Sequence, residues 1–202
     1  AEAKSRRDVL QQLIETKEGF SAGAQTVLAD FDSAIGSLSD LIRVPDEHVR
    51  AIEAAMGSNL QLVLTEQSQA ANEMLNHLTR RKQGRAGIVA LEMLRERGGE
   101  IPPNDLPAEG KPALQVVETD ERNQPLLQTL LGRTVIVDTL ETATRLWRSN
   151  PGRFDFVTRN GESLSQQGIY TGGNSNRNED DHSSILARRN QVDDLEHQLT
   201  NL

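Results

Sequence analysis

The chain has 202 residues, with 22 Lys+Arg against 30 Asp+Glu, a formal charge of −8 and no cysteine. That excludes a disulfide framework, a thiolate metal site, a cysteine nucleophile and a whole-chain basic field for nucleic acid. No run approaches the roughly 18 apolar residues of a membrane span, and no charged start precedes an apolar stretch as in a signal peptide. The apolar fraction is 36% and the aromatic fraction 3%, so part of the chain is expected to lie outside any core. The first residue is Ala1, which fits a processed chain or a piece of something longer.

Residues 1–18 predict a helix with a thin apolar stripe. Ala3 and Leu10 share one seam position and Arg6 and Leu13 the other, with Val9 and Ile14 alongside and charges elsewhere. Gly19 and Gly23 are expected to break it. Residues 24–31 read as a short helix, and Gly36 to Val44, where Leu38, Ile42 and Val44 alternate with polar residues, reads as a strand. Pro45 opens the next helix, with Asp46 and Glu47 suited to its dipole. Val49, Ile52, Ala55 and Met56 form one face, and Gly57 stops it. Leu60, Leu62 and Leu64 suggest a strand. A helix from about Gln67 to Lys82 follows, with Ala70, Ala71, Met74, Leu75 and Leu78 inward, and then a short strand at Ile88 to Leu91.

Residues 98–112 hold three glycines and four prolines and read as a linker. After them come a strand at Leu114 to Val117, a helix at Gln124 to Leu131 ending at Gly132, a strand at Val135 to Val137, and a helix at Thr139 to Arg148 with Leu140, Ala143, Leu146 and Trp147 inward. Phe154 and Phe156 begin a strand pair that turns at Asn160-Gly161. The stretch from Met56 and the stretch from Leu131 share a pattern: a helix ending in glycine, an apolar strand, a polar turn, and a helix with an inward alanine, Ala70 or Ala143. The second copy is two residues shorter between glycine and strand. This predicts two related subdomains about the linker.

The last stretch repeats Ile185, Val192 and Leu199 every seven residues, with Leu195 and Leu202 behind the last two and Arg188 in a d position that fails. So narrow a stripe needs a partner helix. Either the two ends lie on the side of the domain, or they pair with each other as an antiparallel coiled coil. Residues 179–202 carry six acids and two bases, half of the net charge.

Catalytic signatures are missing from the sequence. His48, His77, His182 and His197 fall in no ligand spacing, and His48 and His77 read as solvated or core-edge residues on helices. Glu179 to His182 could hold a divalent cation loosely, or serve as acids at the N-terminus of the final helix. No Walker phosphate loop is present, and Gly168 to Gly173 lacks the lysine and helix start of a phosphate cradle. The reading is of a non-enzymatic chain. Glycines beside the strand signals of Phe154, Phe156, Val157, Ile169 and Tyr170 suggest either loop glycines or close approach of another backbone.

At this point a family emerges. Gly19-Phe20 with Gly23; Gly36-Ser37-Leu38-Ser39-Asp40-Leu41-Ile42-Arg43-Val44-Pro45; Ala51 to Ser58; Gly84-Arg85-Ala86; Leu131-Gly132 to Asp138; and Gly168-Ile169-Tyr170-Thr171-Gly172-Gly173 stand in the order of the hinge domain of SMC proteins, the chromosome-organising ATPases. The chain resembles that domain, in its bacterial form, over residues 19–173. It departs from the family in having Gln167-Gly168 where a glycine pair is usual, and in its long 98–112 linker.

The resemblance implies an α+β fold of two pseudo-symmetric subdomains with short mixed sheets, flanked by an antiparallel coiled coil. The parts would be a coiled-coil helix at 1–18, subdomains at 19–97 and 113–178 about the 98–112 linker, and a second coiled-coil helix at 179–202. It implies a homodimer closed by two edge-strand contacts, with Gly168, Tyr170, Gly172 and Gly173 in the interface. It implies arms ending in ATPase heads outside this chain, which would bind ATP and Mg and meet other condensin subunits, and a cytoplasmic, nucleoid-associated setting with no membrane role. DNA contact is the family's second implication. The basic candidates are Arg80, Arg81, Lys82 and Arg85, and a second group of Arg145, Arg148 and Arg153, without interleaved aromatics. Weak, sequence-independent binding is expected. The alternative is a small α/β ligand- or nucleotide-sensing module using the 168–173 loop. A coiled-coil repair ATPase with a cysteine zinc hook is excluded by composition.

Overall fold

The computed structural model describes residues 2–97, 105–173 and 184–200. In chain order the elements are α1 (Glu2–Glu15), α2 (Ala22–Asp30), β1 (Ala34–Ser37), α3 (Leu38–Leu41), β2 (Ile42–Arg43), α4 (Asp46–Met56), β3 (Val63–Thr65), α5 (Ser68–Arg81), β4 (Ile88–Ala90) and α6 (Leu91–Arg97). They continue with β5 (Lys111–Pro112), β6 (Glu118–Thr119), α7 (Gln124–Leu131), β7 (Thr134–Val137), α8 (Leu140–Ser149), β8 (Asp155–Thr158), β9 (Ser163–Leu164), β10 (Tyr170–Thr171) and α9 (Ile185–Thr200).

The repeat read from sequence is the plan of the molecule. In the first half β1 pairs antiparallel with β3, and β3 pairs parallel with β4 across the α5 crossover. In the second half β5 pairs antiparallel with β7, and β7 pairs parallel with β8 across α8. Between the first and second strands of each half the chain makes one helical turn, at Leu38–Leu41 or Ala113–Val116. The short strands that follow, β2 and β6, pair with each other, Ile42 opposite Thr119 and Arg43 opposite Glu118, and stitch the halves together. The second half alone continues into β9 and β10, giving a sheet ordered β10-β9-β8-β7-β5 beside the three-stranded β1-β3-β4.

Parallel central strands buried on both faces read as continuous apolar runs, and β3 and β7 do. Alternate side chains divide between two layers. Leu64 and Ile136 enter the core shared by both halves, together with Leu38, Ile52, Leu127 and Val157. Val63 faces an outer cluster with Val27, Met74 and Leu78, whereas Val135 and Val137 face another with Ala143, Leu146, Phe154 and Phe156. Each fully buried aliphatic chain of this kind contributes about 1.5–3 kcal/mol.

Several sequence expectations change in the structure. Gly36 to Val44 is not one strand. Ser37 donates its backbone N–H (3.3 Å) and its hydroxyl (2.8 Å) to the Asp40 carboxylate, which closes the α3 turn, and Leu38, Ile42 and Val44 are buried around a corner. The expected strand at 114–117 is the matching turn of the second half. Residues 57–61 form a 3₁₀ turn, so only Val63–Thr65 pair. Lys111 and Pro112, at the end of the expected linker, form β5 on the sheet edge, where proline costs no ladder bond. Leu75 is exposed, because Met74 and Leu78 set the buried face of α5. Gly23 lies inside α2 and does not break a helix; a Cβ there would sit 2.3 Å from the Arg85 carbonyl oxygen.

The two ends pair with each other. The start of α9, with Ile185, Arg188 and Arg189, lies against the end of α1, with Leu13, Ile14 and Lys17, so the helices run antiparallel. Leu10 and Val192 are buried farther along. Arg188, the d position expected to fail, is 3% exposed and donates from Nη2 to the Glu18 carbonyl oxygen at 2.9 Å. Leu186, outside the heptad, packs into the shared core. The 201–202 end of the predicted seam lies outside the described residues.

Candidate functional site

The site is the free edge of the larger sheet. Asn160-Gly161 turns β8 back into β9 as expected, with the Thr158 N–H donating to the Glu162 carbonyl at 2.8 Å. A second turn at 165–168 is held from three sides. Gly168 N–H donates to the Ser165 carbonyl (2.9 Å), the Trp147 indole N–H donates to the carbonyls of Ser165 (3.1 Å) and Gln166 (3.2 Å), and Gln166 donates from its backbone and side chain to the Asp155 carboxylate, each at 2.8 Å. Gly168 has φ +80° and lies against the Trp147 ring. This turn delivers β10 to β9, with Tyr170 opposite Leu164 and Thr171 opposite Ser163.

The other side of β10 has no partner strand among the described residues. The Ser165 N–H donates to the Ile169 carbonyl. In an antiparallel ladder bonded and unbonded pairs alternate, so the N–H and C=O of Tyr170 point away from β9, toward the open edge. Ile169 is 60% and Tyr170 53% exposed, and the Tyr170 hydroxyl is anchored to Thr144 at 2.7 Å. Gly172 and Gly173 follow on the same exposed edge. A Cβ on Gly172 would rest 3.3 Å from the flexible Glu162 side chain, whereas Gly173 has φ +125° and open space around it. Of the four expected interface residues, Tyr170, Gly172 and Gly173 lie along this strand edge, and Gly168 lies in the turn that leads into it. The segment leads through a strand, with no helix N-terminus to cradle a phosphate.

A second open edge was not nominated from sequence. Among the described residues β4 pairs only with β3, at the position where the other half adds β9 to β8. Its signal is the pair Gly84 and Gly87 just before a short apolar strand, whereas glycines stand on both sides of β10.

The basic candidates separate into two kinds. Arg80, Arg81 and Lys82 end α5, Arg85 lies in the turn after it, and all four are exposed with no acidic partner among the described residues. The second group is mostly neutralised. Arg145 makes a two-pronged contact with Glu109, 3.0 Å at Nη1, which holds the Glu109 carboxyl below the usual carboxylate range and raises the arginine. Arg153 pairs with Asp105 at 2.7 Å and lies over the Phe154 ring. Only Arg148 of this group is exposed without a described carboxylate partner.

Among the described residues no three His, Asp or Glu side chains are grouped to hold a metal, and Glu179 to His182 lie outside them. His77 meets Asp30 at 3.0 Å, and His197 Nδ1 meets the Asp193 carbonyl at 2.7 Å. His48 is neither solvated nor at the core edge. It is 2% exposed with both ring nitrogens lacking a hydrogen bond, although a Glu47 oxygen lies 3.1 Å from Nε2 out of line.

This architecture has relatives. The family pattern described as the SMC proteins flexible hinge domain matches residues 31–147. The chromosome partition protein Smc of Lactiplantibacillus plantarum is 35% identical over 179 residues, 84% of this chain and 15% of that protein. That of Bacillus subtilis is 26% identical over 208 residues, all of this chain and 17% of its own. The chain therefore spans about a sixth of the length of these relatives. Among solved structures, an asymmetric dimer of the Geobacillus stearothermophilus SMC hinge domain superposes with a TM-score of 0.87 at 27% identity, covering 99% of this chain and 82% of that one. The Pyrococcus furiosus SMC hinge domain gives 0.63 at 27% identity, covering 86% and 90%.

Proposed function

The chain belongs to the SMC flexible hinge domain family, and from that premise we propose that it is the homodimerisation joint of a chromosome-partition ATPase. The observation that carries this reading is the open edge of β10, an exposed strand with no strand beyond it among the described residues. Unpaired edges are normally blunted or used. The other half leaves β4 open at the pseudo-equivalent place. Two copies related by a two-fold axis pair β10 of each with β4 of the other, closing a ring with two contacts. Gly168, Tyr170, Gly172 and Gly173 form one side of each contact, and the small residues let the backbones meet.

In this reading residues 1–18 and 179–202 are the roots of one coiled-coil arm. Residues 19–97 and 113–178 are the two subdomains, and 98–112 connects them. ATP and Mg chemistry, and contacts with other condensin subunits, belong to head domains outside these residues. The setting is the cytoplasm, at the nucleoid. DNA contact is weak and sequence-independent, through Arg80, Arg81, Lys82 and Arg85. Light scattering at tens of micromolar tests the main claim. The expected mass is twice 22.3 kDa, and a monomer at that concentration would overturn it.

A further inference from the structure

One carboxylate ties both arm helices to the domain. Asp40, in the α3 corner, accepts from Lys17 Nζ at 2.7 Å on one oxygen and from Arg189 Nη1 at 2.9 Å on the other. Lys17 follows α1 and Arg189 lies in α9, so the cations come from opposite ends of the chain. The Ser37 hydroxyl, at 2.8 Å, fastens the same carboxylate to the domain. All three charged side chains are only 20–24% exposed, where ion pairs are less screened than at the open surface.

The adjoining geometry makes this a junction more than a surface pair. Lys17 has φ +54° and ends α1 in a left-handed cap, its N–H donating to the Ile14 carbonyl at 3.1 Å and the Glu18 N–H to the Leu13 carbonyl at 3.0 Å, which fixes where the Lys17 side chain starts. Arg188, next to Arg189, crosses to the Glu18 carbonyl, one residue past Lys17, and so links the two helices to each other. The apolar contacts of Leu10, Leu13, Ile14 and Val192 lie farther out along the pair. The helices are joined to each other along a seam. α1 reaches the α3 corner through Lys17 and Asp40, whereas α9 is also anchored by Ser184 and Leu186 on the Glu53 carboxylate and by Asn190 on the Val44 carbonyl and the Asp46 carboxylate.

We propose that Asp40 is the shared lock that fixes the direction in which the paired arm helices leave the domain, and that opening it lets the pair swing as one body about the remaining α9 anchors at Glu53 and Asn190. The lock lies within one protomer and does not depend on the dimer contacts proposed above.

Pulsed electron-paramagnetic distance measurements test it. The absence of native cysteine allows single-site labels at the exposed positions Asp8 on α1, Glu196 on α9 and Arg122 on the domain. Labelled protomers are diluted into an unlabelled excess, so that only distances within one chain are read. Lys17→Met and Arg189→Met each remove one arm of the lock and leave the Ser37–Asp40 turn intact, and Asp40→Asn weakens both. The expected result is that the 8–122 and 196–122 distributions both broaden, about twofold in width, while 8–196 stays narrow. Unchanged arm-to-domain widths would reduce Asp40 to an ordinary ion pair and overturn the proposal. Broadening of 8–196, or of only one arm-to-domain distance, would show the helices moving separately and would overturn it too. Should Asp40→Asn fail to fold, the two cation variants decide the question alone.

Discussion

At Gly172 and at His48 the environment determines what a substitution will do. A Cβ at Gly172 meets Glu162 of its own protomer, nearest at the movable Cγ (3.3 Å) and at ordinary contact distance from the backbone (3.7 Å), so the fold should tolerate a valine there. Across the proposed strand contact the added branch holds two backbones apart. Gly172→Val is therefore expected to raise the dimer dissociation constant tenfold or more (about 1.4 kcal/mol), with little change in the urea midpoint of the protomer; equilibrium sedimentation and urea titration read the two effects. His48 is the opposite case, a buried ring without hydrogen bonds, beside a cavity that Glu109, Lys111, Asp138 and Arg159 also line. A buried unsatisfied donor or acceptor costs about 1–3 kcal/mol. His48→Leu, compared by urea unfolding near pH 8 where an ordinary imidazole is neutral, is expected to stabilise the chain by about 1 kcal/mol. A loss of stability would mean that the ring has a partner supplied by solvent or a second chain.

At the scale of elements, the junction of α1, α3 and α9 makes stability depend on acid. Burial pushes the Asp40 carboxyl up, but Lys17, Ser37 and Arg189 together outweigh it and hold it below its ordinary value. A lowered carboxyl contributes stability above its unfolded pKa, near 3.9, and loses it as pH falls through the folded value. Asp40→Asn should therefore cost about 1–2 kcal/mol at pH 7 and flatten the acid limb of the stability curve; urea midpoints measured from pH 7 down to about pH 3 give the comparison. The same corner shows where sequence reasoning stops. Helices α4, α5, α7 and α8 and strand β7 were legible because their apolar spacing and glycine or threonine ends are local signals. The alternation through Leu38, Asp40 and Ile42 has the period of a strand, yet Asp40 caps its own turn and receives cations from positions 17 and 189. Those partners are distant in sequence and leave no periodic trace. Arg188 was misread for a related reason: its acceptor is a backbone carbonyl, which no residue pattern announces. The glycine-flanked β10 was visible, whereas β4 became a site only when topology placed it opposite the missing counterpart of β9.

For the whole molecule, the net charge of −8 has to be weighed against a local cationic cluster. Long-range repulsion opposes DNA, but screening confines that field to about 10 Å at 0.1 M salt. Within that range Arg80, Arg81, Lys82 and Arg85 stand exposed without described acidic partners, whereas Arg145 and Arg153 already hold Glu109 and Asp105. The first group, with the lone Arg148 of the second, has charge to offer a phosphate backbone without first breaking an ion pair. If its four cations each displace a counterion, the logarithm of the duplex binding constant should fall with the logarithm of salt at a slope of about −3 to −4. Replacing those four by glutamine should abolish binding at low salt. Arg145→Gln with Arg153→Gln should leave both affinity and slope almost unchanged, since the cations removed were already neutralised. Fluorescence anisotropy of a labelled duplex across a salt series separates the two variants. Loss of binding only in the second would place the DNA contact on the α8 face and require the Glu109 and Asp105 pairs to open, which would couple DNA contact to the chain segment leading into β5.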